Sequence, residues 1–184
     1  MRQRLLEATI DSLVEVGWAG TSTTVVSQRA GVSRGAQLHH FPSKQDLVVA
    51  AVEYLAERRR DELAVDLEEL PDQGRTRAVL DLLVSQYTSP VFLAALELWV
   101  AARTDPGLLE KVAPFERRVG REIHAHAVTL LEVDESRGRN RQLVQATLDL
   151  LRGLGLAATL TDDSARRASI LDAWADTLDR ELER

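Results

Sequence analysis

Five prolines and ten glycines are the only strong helix breakers in these 184 residues, and no stretch alternates apolar and polar positions in the period of a strand. Leu, Ala, Arg and Glu dominate what lies between. These residues lose little side-chain freedom in a helix, so an all-α fold is predicted. The length suits one domain or two small ones and is enough to bury a core. Apolar residues make up 45% and charged residues 28%, a balance that argues against intrinsic disorder. There is no cysteine. That excludes a disulfide scaffold, thiolate metal sites and a cysteine nucleophile, and is compatible with a reducing cytoplasm. No apolar run reaches the ~18 residues of a membrane span. The first helix mixes charges through its apolar positions, unlike a signal peptide. A cytoplasmic protein with no membrane partner is expected.

The breakers divide the chain. A first helix from about Arg2 to Val16 carries the stripe Leu6, Ile10, Leu13 and ends at Gly17. The hydroxyls after Gly20 suit the cap of a short helix reaching Ala30. Gly31 turns the chain, Ser33 caps a third helix to His40, and Pro42 stops it. Ser43 and Asp46 have capping-box spacing with the shorter acid, opening a fourth helix to about Leu67. A loop from Pro71 to Gly74 precedes helices at about 75–87, 90–104 and 106–133, the last broken or kinked near Pro114. A polar loop over 134–140 leads to the last two helices. The first of these, 141–160, is apolar nearly all round and should be buried on both faces. The second, 164–182, has the single stripe Leu171, Trp174, Leu178, Leu182.

Charge is uneven. The net charge is −6, yet residues 1–50 hold five basic and four acidic side chains, leaving −7 on the remainder. An acidic protein that binds nucleic acid must do so through a small, well-placed surface. Residues 20–47, GTSTTVVSQRAGVSRGAQLHHFPSKQDL, offer one. Two short helices joined through Ala30, Gly31 and Val32 fit a helix-turn-helix, whose second helix meets base edges in the major groove. Thr23, Thr24 and Ser33 stand at helix N-termini, where hydroxyls and free N–H groups receive phosphate. Arg34 and Gln37, three apart on one face, are types that read guanine and adenine. Gln37 is equally suited to satisfying a local backbone group. Gly35 permits close approach to the groove. His39, His40 and Lys44 can donate to phosphate.

The order of these features resembles the DNA-binding domain of the tetracycline-repressor (TetR) family of bacterial regulators. The resemblance rests on the amphipathic first helix, the Thr/Ser cluster, Arg29-Ala30-Gly31-Val32-Ser33 at the turn, Gly35, His40-Phe41, Ser43-Lys44 and Leu47. It covers about the first 50 residues; beyond them only the helical architecture matches. It implies an N-terminal three-helix DNA-binding domain, residues 1–47, and a helical ligand-binding and dimerisation domain, residues 48–184. It also implies a repressor released from a palindromic operator by a small molecule. By this likeness Thr23 and Thr24 contact phosphate or an adjacent base, and Arg34 and Gly35 open the recognition helix. His40 and Lys44 contact the backbone, and Phe41 belongs to the core. The family usually has an apolar residue and then an aromatic, often Tyr, where this chain has Gln37 and Leu38. Leu38 cannot form a phenol–phosphate bond but can touch a thymine methyl.

An effector site is expected in the second part. Glu97 is the only charge in the run 91–102 and must point outward or be paired. Pairing with Arg117, Arg121 or His124 across a cavity would place Tyr87, Phe92, Leu96, Trp99 and Phe115 on its lining; as an alternative, the aromatics are core and Glu97 a structural ion pair. The dimer is expected to form a four-helix bundle from the last two helices, through Leu148, Leu151, Gly155, Leu171, Trp174 and Leu178. No cofactor, metal or catalytic group is expected. Gly153-x-Gly155-x-x-Ala158 lacks the preceding strand of a dinucleotide site. His124 and His126 are two apart, the wrong spacing for a shared metal on a helix. The alternative class is a helical bundle of the same fold that binds or processes an apolar small molecule without DNA.

Overall fold

A computed structural model describes residues 1–66, 70, 71 and 73–183, with residues 59–66 given by their backbone alone. Among the described residues the structure is helical: α1 (Arg2–Gly20), α2 (Thr23–Ala30), α3 (Arg34–His40), α4 (Lys44–Asp66), α5 (Arg75–Tyr87), α6 (Pro90–Ala102), α7 (Pro106–Leu131), α8 (Asn140–Ala157) and α9 (Ser164–Glu181). The expected end of the fourth helix at Leu67 and part of the loop from Pro71 to Gly74 lie outside the described residues. No single helix among the described residues is long and apolar enough to cross a membrane.

Two compact units emerge, Met1–Glu62 with Pro90–Arg118, and Leu63–Ser89 with Val119–Arg184. Compactness thus groups α6 with the N-terminal helices. In the first unit α1 packs on α2 and α6. Leu6, Ile10 and Leu13 are buried as their spacing predicts, alongside Val26, Phe41, Leu47, Val48, Leu98 and Leu108. Helix α1 differs from expectation. Gly17 does break its geometry (φ 67, ψ −176), but a further turn continues to Gly20. Thr21 closes that turn by donating from both its N–H and its hydroxyl to the Gly17 carbonyl, at 3.1 and 2.8 Å. Helix α4 opens as read: the Ser43 hydroxyl donates to the Asp46 carboxylate at 2.6 Å and accepts from the Asp46 N–H at 3.1 Å. Helix α7 continues through Pro114 as one helix, so of the two expectations there the break does not occur.

In the second unit α5 packs against α8 and α9. Its core is Leu80, Leu83, Leu130, Val144, Leu151, Leu171 and Leu178. Helix α8 ends at Ala157, short of the expected Leu160, and only one of its faces is buried. Leu156 is 51% exposed and Leu160 88%, so within this one chain the all-round apolar pattern is covered on one face. Buried polar groups act as ties. Asn140 donates to the Asp134 and Glu183 carbonyls at 2.9 and 2.8 Å and accepts from the Glu183 N–H at 3.1 Å. A buried amide so satisfied fixes the chain's end to the α7–α8 loop.

Candidate nucleic-acid interface

Helix α2 begins where Ser22, in extended geometry, accepts from the Val25 N–H at 3.2 Å. It ends at Gly31, whose φ of 60 and ψ of 42 lie in the left-handed region that a side chain disfavours. Ser33 then caps α3, accepting from the Ala36 N–H at 3.3 Å. Each cap satisfies one N–H of a helix start and leaves others directed outward.

Helix α1 braces this turn with two arginine contacts that the sequence did not reveal. The Arg4 guanidinium donates to the Ala30 carbonyl and, at 3.5 Å, to that of Gly31. Arg29 of α2 forms a two-pronged pair with Glu15, one arm at 2.9 Å. The hydrogen bonds from Arg29 hold the Glu15 carboxyl below its ordinary range. The partners lie 26 and 14 residues apart, beyond any helical spacing rule.

Thr24, Ser33, Arg34, Gly35, Leu38, His39 and His40 are exposed, and Thr23 and Lys44 are half-buried. Arg34 has no ion-pair partner among the described residues. A methyl group added at Gly35 would meet nothing within 4 Å, so the chain's own packing does not require glycine there. Gln37 must be corrected. It is fully buried, and its amide donates to the Phe41 carbonyl at 2.7 Å. It terminates α3 from within and is not a base reader. Helical geometry then gives the outward strip of α3 to Arg34 and Leu38, four residues apart. Lys44 donates to the Trp18 carbonyl, and its Nζ stands 4.0 Å from the centre of the Trp18 ring. Burial lowers its pKa from the ordinary lysine value.

Residues 5–51 match the family model described as bacterial regulatory proteins, tetR family. The chain is 34% identical over 168 residues to the HTH-type transcriptional regulator CymR of Pseudomonas putida, an alignment covering 89% of this chain and 81% of that protein. It belongs to the TetR family. Among solved structures it is similar to the multidrug binding protein EbrR complexed with imidazole, at 26% identity and a TM-score of 0.61, covering 94% of this chain and 93% of that one. A Saccharomonospora viridis regulator in complex with choline has the same fold, with a TM-score of 0.76 at 16% identity, covering 100% of this chain and 98% of that one. This TetR-family chain is therefore an all-α DNA-binding transcriptional regulator.

The residues expected at an effector site of this TetR-family protein fall into both units. In the first, Phe92 and Phe115 are buried, Leu96 is half-buried, and Trp99 meets Phe92 edge to face at 5.8 Å between ring centres. Glu97 does not pair with the cations proposed for it. Its carboxylate accepts from the Trp18 N–H at 2.6 Å. In the second unit His124 pairs with Glu135 at 2.6 Å, Arg121 is exposed, and Tyr87 is buried with the Arg152 guanidinium 5.9 Å from its ring centre. His126 lies in the same unit. Its Nε2 is buried without a hydrogen-bond partner, and burial lowers its pKa. No group of three or more His, Asp or Glu that could hold a metal occurs among the described residues.

The expected dimer contacts also need correction. Leu148, Leu151, Gly155, Leu171 and Leu178 are buried within this single chain. A methyl group at Gly155 would stand 2.4 Å from the Tyr87 carbonyl oxygen, so this glycine admits α5 and not a second subunit. Trp174 alone of the six stays half-exposed, its indole N–H donating to the Thr147 hydroxyl at 2.9 Å. The leucine stripes were recognised correctly as buried, but spacing does not say by which chain.

Proposed function

We propose that this regulator is a ligand-released repressor acting in the cytoplasm as a homodimer on a palindromic operator. Residues 1–47 form the DNA-binding part and 48–184 the effector-binding and dimerising part. The observation that carries the DNA-contact assignment is the first turn of α3, where Arg34 has no ion-pair partner among the described residues and stands beside a glycine whose missing side chain would meet only open space. Arg34 reads a guanine and Gly35 lets the backbone close on the groove. Thr23, Thr24, Ser33, His39, His40 and Lys44 hold phosphate around them. Relatives crystallised with imidazole or choline support a small organic effector. The dimer face is assigned to the outward strips of α8 and α9: Leu143, Ala146, Leu150 and Gly153, with Ile170, Ala173, Trp174 and Thr177. A methyl group added at Gly153 would meet nothing within 4 Å among the described residues, which leaves room for a neighbouring helix.

Selection from a random duplex library, followed by footprinting, tests this. Two inverted half-sites and an affinity that falls steeply with salt are expected. A single asymmetric site, or no selected sequence, overturns it. Sedimentation should find a dimer that Gly153→Asp dissociates. Thermal-shift screening with choline and imidazole as first probes, then DNA release by any stabilising compound, tests the effector step.

A further inference from the structure

The residue around which α1, α4 and α6 meet is Trp18. A helix broken at one residue leaves the next N–H groups without intrahelical acceptors. Gly17 makes such a break in α1, and the exposed donor is the Trp18 N–H. Glu97, from α6, supplies the missing acceptor at 2.6 Å. Gly17 is suited to this twice over. Its φ of 67 favours glycine, and a methyl group there would stand 2.9 Å from the Glu97 Oε2. On the other side of the same residue, the Lys44 ammonium donates to the Trp18 carbonyl and lies against the Trp18 ring. An acid from α6 and a base from α4 therefore grip one tryptophan of α1 from its two ends.

We propose that Glu97 is a positioning residue for DNA binding: by fixing Trp18 it sets the seat on which Lys44 is held towards phosphate. An ammonium has three donors. One is committed to the Trp18 carbonyl, leaving two for a phosphate oxygen. A lysine already held by a carbonyl and an aromatic face gives up less side-chain freedom on binding. Removing Glu97 frees the Trp18 peptide, and Lys44 then meets DNA without its support. The run around Glu97 is otherwise apolar, and this single carboxylate gives α6 a polar hold on the Trp18 peptide against which Lys44 rests. The proposal rests on Lys44 being a phosphate contact.

A double-mutant cycle on the full-length protein tests it, using a fluorescein-labelled duplex selected from a random library, with affinity read over a range of salt. Lys44→Ala should weaken binding about three- to tenfold and flatten the salt slope by about 0.9. Glu97→Leu should produce a similar loss in a protein that still holds an unchanged Lys44. The double variant should lose no more than Lys44→Ala alone, because both act on one contact. Glu97→Gln keeps an acceptor oxygen for the Trp18 N–H and should bind within about twofold of the parent. If Glu97→Leu does not fold, Glu97→Ala replaces it in the cycle. Losses that multiply in the double variant, or an unaffected Glu97→Leu, overturn the coupling while leaving Lys44 as a DNA contact. An unchanged affinity and salt slope in Lys44→Ala overturn the phosphate role itself, and the coupling with it.

Discussion

Two glycines in helices separate the two ends of this molecule. At Gly35 in α3 an added methyl group would meet nothing, while at Gly155 in α8 it would meet a backbone carbonyl at 2.4 Å. One glycine is unexplained by the fold and the other is demanded by it. The same contrast holds for the side chains nearby. Around Gly35 the exposed groups are Arg34, Leu38, His39 and His40. Around the α5–α8–α9 contact, polar side chains face inward as ties, such as Asn140 and Thr147. A surface with internal explanations missing is where an outside partner supplies them. A region whose glycine and buried polar groups are held by the chain's own packing, as Gly155, Asn140 and Thr147 are, is a scaffold.

The largest effect that could break this comparison comes from enlarging both glycines. Gly155→Leu drives a side chain into the Tyr87 backbone, which cannot move aside as a flexible side chain could, and should cost about 3 kcal/mol or more. Gly35→Ala should leave stability unchanged or raise it by up to about 1 kcal/mol, since alanine is the better helix former. It should nonetheless weaken operator binding about tenfold, roughly 1.4 kcal/mol, by holding the backbone off the groove. Chemical denaturation and anisotropy titration on the same preparations check both. A Gly35→Ala protein that binds normally would remove the case for close approach.

Arginine and leucine give the next contrast. Arg34→Ala should leave stability within about 0.5 kcal/mol, as expected for a surface change. Its operator affinity should fall by about 1–3 kcal/mol with specificity relaxed at one base, whereas Lys44→Ala should weaken all sequences alike. Leu151→Ala, in the α8 core, should do the reverse. It should cost about 2–5 kcal/mol of stability through the cavity left behind and leave the affinity of the folded fraction alone.

Acid offers a smaller and more selective probe. The half-buried His126 imidazole, its Nε2 covered, has its pKa lowered from the ordinary 6.5 by desolvation. The sign follows from proton binding. Below 6.5 the unfolded chain takes up a proton that the folded chain resists, so stability is fully present above that value and is lost as pH falls from it towards the folded pKa. His126→Gln should flatten this part of the profile. Melting curves taken through this range decide it, and a parent protein that gains stability on acidification there would contradict the burial of His126.

What could be read in advance divides along the same line. The helix-turn-helix was legible because its determinants are local: Ser22, Ser33 and Ser43 cap helices within three residues of themselves, and Gly31 needs only its own φ. Gln37 was undecided because a residue that reads a base and one that seals a helix end from inside can share one position and one chemistry. Glu97 was seen to need a partner, but its partner is a backbone N–H 79 residues away, and a backbone donor leaves no mark in side-chain identity. Leu148 and Leu151 of α8 and Leu171 and Leu178 of α9 were correctly taken as buried. Their assignment to a second subunit failed because α5, which ends at Tyr87, far back along the chain from the start of α8 at Asn140, competes for the same stripe.

The smallest effect concerns Leu38, and it tests the outward face of α3 most directly. A leucine 43% exposed on a helix that otherwise shows Arg34 and two histidines leaves apolar area in water that a groove-facing methyl would cover. Thymine alone among the bases presents such a methyl in the major groove. Its contact with Leu38 should therefore be worth about one methyl's burial, roughly 0.8 kcal/mol or a fourfold affinity. Replacing successive thymines of a half-site by uracil removes that methyl and changes no hydrogen bond. One position should show the loss in the parent protein and none in Leu38→Ala, because the partner surface is then already gone. Equal sensitivity in both proteins would place the methyl against some other residue, and no sensitivity at any thymine would turn Leu38 away from the bases. Either result would leave Arg34 as the only base reader the exposed face of α3 supplies.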